Sequence, residues 1–351
     1  MRLRLHRFPL TKAVPLAISR GTTTAVEHLL VELEHDGQIG RGETGGFDTG
    51  HRAFSTDAIA AELEALAPQL ERLEPQPLQA LDPLLAPLSP PARCGLDLAL
   101  HDWWGQRLGL PLHRLWGLDP GACVATSVTL GLGEPSAVLA RLERWRQQLP
   151  STRIKLKLGS PDGLDHDRAL VRAVRSALRP GDELQIDANG GWALEGAQQM
   201  IPWLADQGVV LVEQPLPPQR DPEVDTAGFQ ALHGLGSLPL VADESCWDLP
   251  DLWRLAPHVD GINIKLVKCG GLSEGLLMAR TAGRLGLGVM LGCYSDGGLL
   301  NSAAAQLLPL VQWPDLDSHL NLRDDPFAGP DRDGDVLRPS ARAGLGAQEA
   351  I

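Results

Sequence analysis

The chain has 351 residues, 43% of them hydrophobic, and a formal net charge of -13. That length suits a barrel of roughly 250 residues with an attached module, and the carboxylate excess argues against a nucleic-acid partner, which would call for clustered Lys and Arg. Five scattered cysteines with no CxxC pair, a start unlike a signal peptide and the lack of a long apolar run point to a reducing, cytoplasmic setting with no membrane partner.

Residues 1–120 read as an α+β module. Val26 to Leu33 and Gly37 to Glu43 flank Asp36-Gly37, a two-residue turn signal that predicts a β-hairpin. Ile59, Leu63, Leu66 and Leu70 recur at helical spacing and predict an amphipathic helix over Ala58 to Leu73. A Pro-rich connector then leads to a second helix, Cys94 to Leu108, with Leu96, Leu100 and Trp104 on one face. From about Ala122 the texture alternates between strand and helix. Val124 to Leu130 is the first strand, and Arg153 to Lys157, Leu184 to Asp187, Leu211 to Glu213, Leu240 to Asp243 and Ile262 to Lys265 are the second to sixth. Gly288 to Cys293 and Val311 to His319 complete the set, with helices such as Asp167 to Leu178 and Leu194 to Ala205 between strands. This predicts an α/β fold: a modified TIM barrel, (β/α)7β, over 121–320 with its site at the carboxyl ends of the strands. The α+β cap covers 1–120, and 321–351, rich in Gly, Pro, Asp and Arg, is expected to pack back on it.

The second to sixth strands each end on a charged side chain. Side chains alternate faces along a strand, so Lys155 and Lys157 share one face while Ile154, Leu156 and Leu158 take the other. The same parity aligns Gln185 with Asp187, Leu211 with Glu213, Val241 with Asp243, and Asn263 with Lys265. Closure into a barrel brings three carboxylates and three ammonium groups to one mouth. Asp187, Glu213 and Asp243 offer hard oxygen ligands from three successive strands, which suits Mg2+ rather than zinc or copper. Lys265 lies four strands beyond Lys157, hence across the mouth, where two bases could remove a proton from one face of a carbon and return it to the other. With Lys155 two residues from Lys157 on one face and a metal nearby, like-charge repulsion and burial are expected to lower the pKa of a lysine and make it competent as a base. Lys268, by contrast, is expected to be an ordinary surface lysine. On the eighth strand Asp315 and Asp317 lie two residues apart, on one face, and would favour a cationic group on a substrate.

Jointly, Lys155-x-Lys157, Asp187-Ala-Asn189, Glu213-Gln-Pro215, Asp243-Glu-Ser245 and Ile264-Lys-Leu-Val-Lys-Cys-Gly-Gly271 resemble the muconate-lactonising subgroup of the enolase superfamily. The resemblance covers nearly the whole chain, including Gly40-Arg-Gly-Glu43 in the cap and the Ala99 to Leu112 stretch. It implies a Mg2+ enzyme that removes the proton α to a carboxylate through an enediolate. By the same resemblance Lys157 and Lys265 are the acid/base pair and Lys155 supports the substrate carboxylate. Asp187, Glu213 and Asp243 hold the metal, with Asn189 and Glu244 behind them.

Asp315-x-Asp317 is similar to the signature with which dipeptide epimerases bind a free α-amino group. It implies 1,1-proton transfer at the C-terminal residue of an L-Xaa-Xaa dipeptide. Ile18-Ser-Arg20-Gly21-Thr resembles the mobile loop of L-Ala-D/L-Glu epimerases, implying that Arg20 meets a glutamate side chain. Thr44 to His51 and Gly292 to Asp296 depart from that pattern and leave hydrophobic or cationic dipeptides open. The rival readings are an o-succinylbenzoate synthase, an N-acylamino acid racemase, a muconate-type cycloisomerase, or a non-enzymatic barrel that binds a small acid. The enzymatic rivals share the lysines and metal but have no use for an Asp pair that holds an ammonium. The expected partner is a small dipeptide, and a homo-oligomer is left open.

Overall fold

The computed structural model describes residues 1–350. Three antiparallel strands open it: β1 (Arg2–Ile18), β2 (Gly21–His35) and β3 (Gln38–Gly45), in that spatial order. Asp36 and Gly37 join β2 to β3 with φ of 51° and 73°, the twist a two-residue hairpin needs. The long β1 goes beyond the sequence expectation. Its alternation is obscured by Arg4, His6 and Arg7, which are matched across the ladder by Glu34, Glu32 and Glu27.

Helix α1 (Thr56–Leu70) starts where the Ser55 side chain accepts from the Ala58 amide, and it buries Ile59, Leu63, Leu66 and Leu70 against Leu29, Val31 and Leu33 of β2. Each such side chain contributes about 1.5–3 kcal/mol. Helix α2 (Pro90–Leu108) ends at Gly109, whose φ of 66° suits a residue without a Cβ. The Gly40-Arg-Gly42 stretch lets β3 lie directly on α2. A Cβ at Gly40 or Gly42 would stand 2.1 Å from the carbonyl oxygen of Ala99 or Gly95.

Eight parallel strands follow in sequential order: β4 (Ser127–Leu130), β5 (Arg153–Lys157), β6 (Glu183–Asp187), β7 (Val209–Glu213), β8 (Leu240–Ala242), β9 (Gly261–Ile264), β10 (Gly288–Gly292) and β11 (Trp313–Asp315). Side chains close the circle between its ends. Ser127 Oγ donates to Asp315 at 2.6 Å, and Asp317 accepts from the Thr129 amide at 2.6 Å. Helices α3 (Pro135–Gln148), α4 (Leu164–Ala177), α5 (Leu194–Asp206), α6 (Pro222–Leu232), α7 (Leu249–Leu255), α8 (Leu266–Cys269), α9 (Leu272–Arg284) and α10 (Gly298–Ala305) make the crossovers. The modified TIM barrel with an N-terminal cap is therefore present.

Strand parity holds except at the start of β7, where the register with β6 shifts by one residue and Val209 joins Val212 in the outer core. Ile154, Leu156, Ile186, Val212 and Ile262 face outward into the main core. Leu211, Val241 and Met290 face inward with Trp313 and plug the barrel beneath the charged layer. The chain beyond Asn321 returns to earlier elements: the Arg323 amide donates to Thr11 O in β1, and the Leu345 amide donates to Asp102 in α2. Among the described residues no helix is long and apolar enough to cross a membrane.

Asp97 ties the cap helix to the barrel. From α2 it accepts from the Leu272 amide at 2.6 Å and from Ser273 Oγ at 2.5 Å at the start of α9, and it lies 3.4 Å from His101 Nδ1. Burial opposes both charges, yet their mutual attraction and hydrogen bonds outweigh it, lowering the Asp97 pKa and raising that of His101. Asp97→Ala strands these buried donors and should cost about 3–5 kcal/mol. The lowered Asp97 contributes stability that is present above its unfolded value near 3.9 and is lost as pH falls through its folded value. The raised His101 contributes stability that is present below about 6.5 and is lost as pH rises through its folded value. Denaturant titrations should thus show the widest deficit of the variant between about pH 4 and pH 6.5. A deficit independent of pH would contradict the paired-charge account.

Candidate active site

Strand register assembles the charges. Lys157 pairs with Asp187 and Asp187 with Glu213 across β5, β6 and β7, and Asp243 follows the last residue of β8. Carboxylate oxygens of Asp187, Glu213 and Asp243 all lie within 4.8 Å of one another, with no solvent exposure. Asn263 Nδ2 donates to Glu213 Oε1 at 2.7 Å, and Glu213 Oε2 lies 2.5 Å from Lys155 Nζ. Three buried oxygen-only donors clustered this closely fit a hard divalent cation such as Mg2+.

The backbone bends immediately beyond these carboxylates. Gln214 and Asn189 adopt φ of 38° and 45°, conformations that cost energy in a non-glycine residue and cluster at functional sites. Asn189 in return donates its amide to Asp187 at 2.8 Å and its Nδ2 to the same carboxylate at 3.2 Å.

Lysines surround the triad. Lys157 Nζ is 2.5 Å from Asp187, and Lys265 Nζ is 2.6 Å from Asp243 and 4.1 Å above the Tyr294 ring. Lys155, one layer deeper, reaches Glu213 at 2.5 Å and Asp315 at 2.6 Å. The carboxylates act against the expected lowering of pKa at Lys155 and Lys265. Burial does oppose the charge, but Asp315, Glu213 and Asp187 hold Lys155 well above its ordinary value, and Asp243 does the same for Lys265. Each of these two ammonium groups stands within 2.6 Å of a carboxylate, and that attraction outweighs the cost of burial.

Lys268 is not the surface lysine expected. It is 1% exposed, donates to Asp243 Oδ1 at 2.6 Å and to the Asp243 carbonyl, and reaches the carbonyls of Cys246 and Asn263 at 3.1 and 3.2 Å. The reason is the one-turn helix α8, which directly follows β9 and turns its third residue back beneath the mouth. Strand parity cannot reveal a residue placed by a helical turn.

Asp315 and Asp317 sit side by side but do different things. Asp315, the last residue of β11, is engaged by Lys155 and Ser127 inside the barrel. Asp317 already has helical backbone angles, and its Oδ2 is held by the Thr129 amide at the rim. Burial, then the Asp315 charge, raises its pKa.

The cap closes over this mouth. Arg20, in the β1–β2 turn, donates from Nη1 to the Asn189 carbonyl and from Nη2 to Glu244, each at 2.8 Å. While those bonds hold, its fork is not free to grip a substrate carboxylate. Between cap and lysines lies a cleft of about 150 Å³ whose walls include Leu16, Ile18, Val26, Phe47 and Tyr294. Phe47 stacks on Tyr294 with ring centres 4.6 Å apart. Sequence reasoning missed two further buried members, His28 and Glu43. Glu43 accepts from His28 Nδ1 and the Gly297 amide at 2.7 Å and from the Leu300 amide at 2.9 Å, capping α10 from the other domain. Its place in Gly40-Arg-Gly-Glu43 was the available signal.

A carboxylate triad between lysines on opposite sides can hold a cation and move protons on either face of a group bound to it. Residues 3–117 match the mandelate racemase/muconate lactonizing enzyme N-terminal domain, and residues 137–348 match the enolase C-terminal domain-like family. The chain belongs to the mandelate racemase/muconate lactonizing enzyme branch of the enolase superfamily. It is 38% identical over 350 residues to a hydrophobic dipeptide epimerase from a Flavobacteria bacterium, covering 99% of this chain and 98% of the relative. A substrate-liganded complex of the L-Ala-D/L-Glu epimerase from Bacillus subtilis superposes with a TM-score of 0.91 at 27% identity, over 100% of this chain and 99% of that one. The dipeptide epimerase from Enterococcus faecalis, complexed with Mg and L-Leu-L-Tyr, superposes with a TM-score of 0.89 at 29% identity, over 99% of each.

Lys268 braces Asp243 from behind, so Lys268→Met should weaken Mg2+ binding by about 10–100-fold, the usual cost of losing a partner that orients a ligand. Calorimetric Mg2+ titration of the purified variant measures this directly. Unchanged affinity would show that Asp243 needs no such support.

Proposed function

We propose that the protein is a Mg2+-dependent dipeptide epimerase acting at the α-carbon of the C-terminal residue of an L-Xaa-Xaa dipeptide. The observation that carries this reading is the placement of Lys157 and Lys265 against different members of the carboxylate triad, four strands apart in the barrel. When bound by Asp187, Glu213 and Asp243, the cation would neutralise those carboxylates and the charge that grows on the substrate carboxylate.

The chain's own groups complete the reaction. One lysine, as the free amine, takes the α-proton, and the C–H electron pair moves into the substrate carboxylate. The opposite lysine, as the ammonium, returns a proton to the other face while the pair moves back to carbon. Lys155 supplies fixed positive charge beside the carboxylate. Asn189 and Glu244 steady the triad and the cap turn, and the Asp315/Asp317 pair orients the free amino group, with Asp317 at the rim as the nearer contact. An N-acyl substrate would leave Asp317 without a cation. A reducing cytoplasm suits the free thiols of Cys94, Cys123, Cys246, Cys269 and Cys293.

In D2O the wild type should introduce deuterium at the α-carbon of both L-Ala-L-Leu and L-Ala-D-Leu. Lys157→Ala and Lys265→Ala should each slow epimerisation by at least about 10² to 10⁴. Mass spectrometry with chiral chromatography follows both quantities. Normal interconversion by either variant would rule out the two-base assignment.

Side-chain preference follows from the cleft walls. Leu16, Ile18, Val26 and Phe47 favour an apolar side chain at the inverted residue, and Arg20 is committed to Glu244. Burying a carboxylate there without a free partner is costly. The kcat/KM for L-Ala-L-Leu should exceed that for L-Ala-L-Glu by about tenfold or more. The reverse ranking would mean that Arg20 leaves Glu244 and selects an acidic side chain.

A further inference from the structure

Beside the substrate cleft, and sharing Leu16 and Tyr294 with it as a wall, lies a second cavity of about 160 Å³ between β1, β4, α3 and the turn after β11. Asp317 and Thr129 line it, so it begins where the proposed amino-group anchor stands. Its charges do not balance within the chain. Lys12 projects from β1 and is only 5% exposed, yet among the described residues it makes no side-chain hydrogen bond or salt bridge. Arg141 of α3 also lines the cavity, its guanidinium lying 4.1 Å over the Trp145 ring, and it too lacks a carboxylate partner within salt-bridge distance. Against these two cations the lining offers one carboxylate, Asp317, with one oxygen already held by the Thr129 amide.

A largely enclosed ammonium without a salt-bridge partner is unfavourable, and burial accordingly lowers the Lys12 pKa, with Cys293, Asp317 and Asp296 opposing that and Arg141 adding to it. An anion entering the cavity would relieve that cost. Apolar groups of Val14, Leu132 and Val138 on the same walls suit a short methylene chain rather than a free inorganic ion. In an amino-terminal residue the ammonium and the side chain branch from the same carbon, so a substrate anchored at Asp317 directs one toward the rim and the other into this cavity.

We infer that the Lys12–Arg141 cavity is a subsite for a carboxylate side chain on the amino-terminal residue of the dipeptide, making substrates of the form L-Glu-L-Xaa or L-Asp-L-Xaa preferred. The inference rests on the dipeptide epimerase reading and adds a preference at the residue that is not inverted. It is distinct from any selection by Arg20, which lies against Asn189 and Glu244 in a different part of the mouth.

The test compares kcat/KM for L-Glu-L-Leu with that for the neutral isostere L-Gln-L-Leu. The wild-type ratio should be about tenfold or more, as expected of a charge-assisted contact with a partly desolvated cation. Lys12→Met should bring the ratio close to one, and Lys12→Arg should restore part of it. Arg141→Met, on a different element, should lower the same ratio independently, so the test does not hang on one variant folding well. A wild-type ratio near one, or a ratio that persists in both Met variants, would overturn the subsite and leave a water-filled cavity in which Lys12 and Asp317 simply offset each other. L-Ala-L-Leu serves as the control for the underlying reading. Its turnover alongside a ratio near one condemns the subsite alone, whereas failure to turn over any of the three dipeptides condemns the epimerase reading and the subsite with it.

Discussion

Charge compensation inside the barrel mouth is the constraint on which the rest of the site depends. Lys155, Lys157, Lys265 and Lys268 meet Asp187, Glu213, Asp243 and Asp315, and none of the eight is more than 9% exposed. Each alone would cost several kcal/mol to bury, so the arrangement is tolerable only as a set. The members come from β5, β6, β7, β11 and the segments that follow β8 and β9, so the network forms when the barrel closes and cannot be assembled from a fragment. Leu211, Val241 and Met290 beneath it keep water out from below, and the resulting low dielectric strengthens every pair above.

The cap is held to this barrel by carboxylates directed at helix N-termini. Glu43 accepts from two amides at the start of α10, and Asp97 from those of Leu272 and Ser273 at the start of α9. These are amides without partners inside their own helices, and the helix dipole favours a negative charge there. Both carboxylates belong to one packing unit, because Gly40 and Gly42 allow β3 to lie against α2. The cap therefore docks as a rigid block, and its β1–β2 turn can sit over the mouth with Arg20 as its latch.

The barrel and the triad were legible because both rest on short-range periodicity. Strand parity, repeated at βα spacing, placed Lys157, Asp187, Glu213, Asp243 and Lys265 on one layer without knowledge of any contact. What escaped was set by other rules. Lys268 is carried by a single helical turn, and the partners of Arg20 lie 169 and 224 residues away in the chain. Strand β1 was hidden by charges whose complements stand on β2. The surroundings of the lysines escaped for a related reason: sequence spacing showed Lys155 near Lys157 but not Glu213 and Asp315, which hold Lys155.

These differences also separate chemistry from recognition in physical terms. A residue of the charge network cannot be exchanged without leaving a partner buried and unpaired, so the proton-transfer machinery is locked to the barrel. Leu16, Ile18, Val26 and Phe47 belong to the cap and carry no charge, and a change of size among them costs at most the packing of one wall. Lys12 and Arg141 stand between these extremes: they are charged and partly enclosed, yet outside the network. Replacing either one strands no carboxylate, so the cavity they line can change its preference without disturbing the lysines that move the proton.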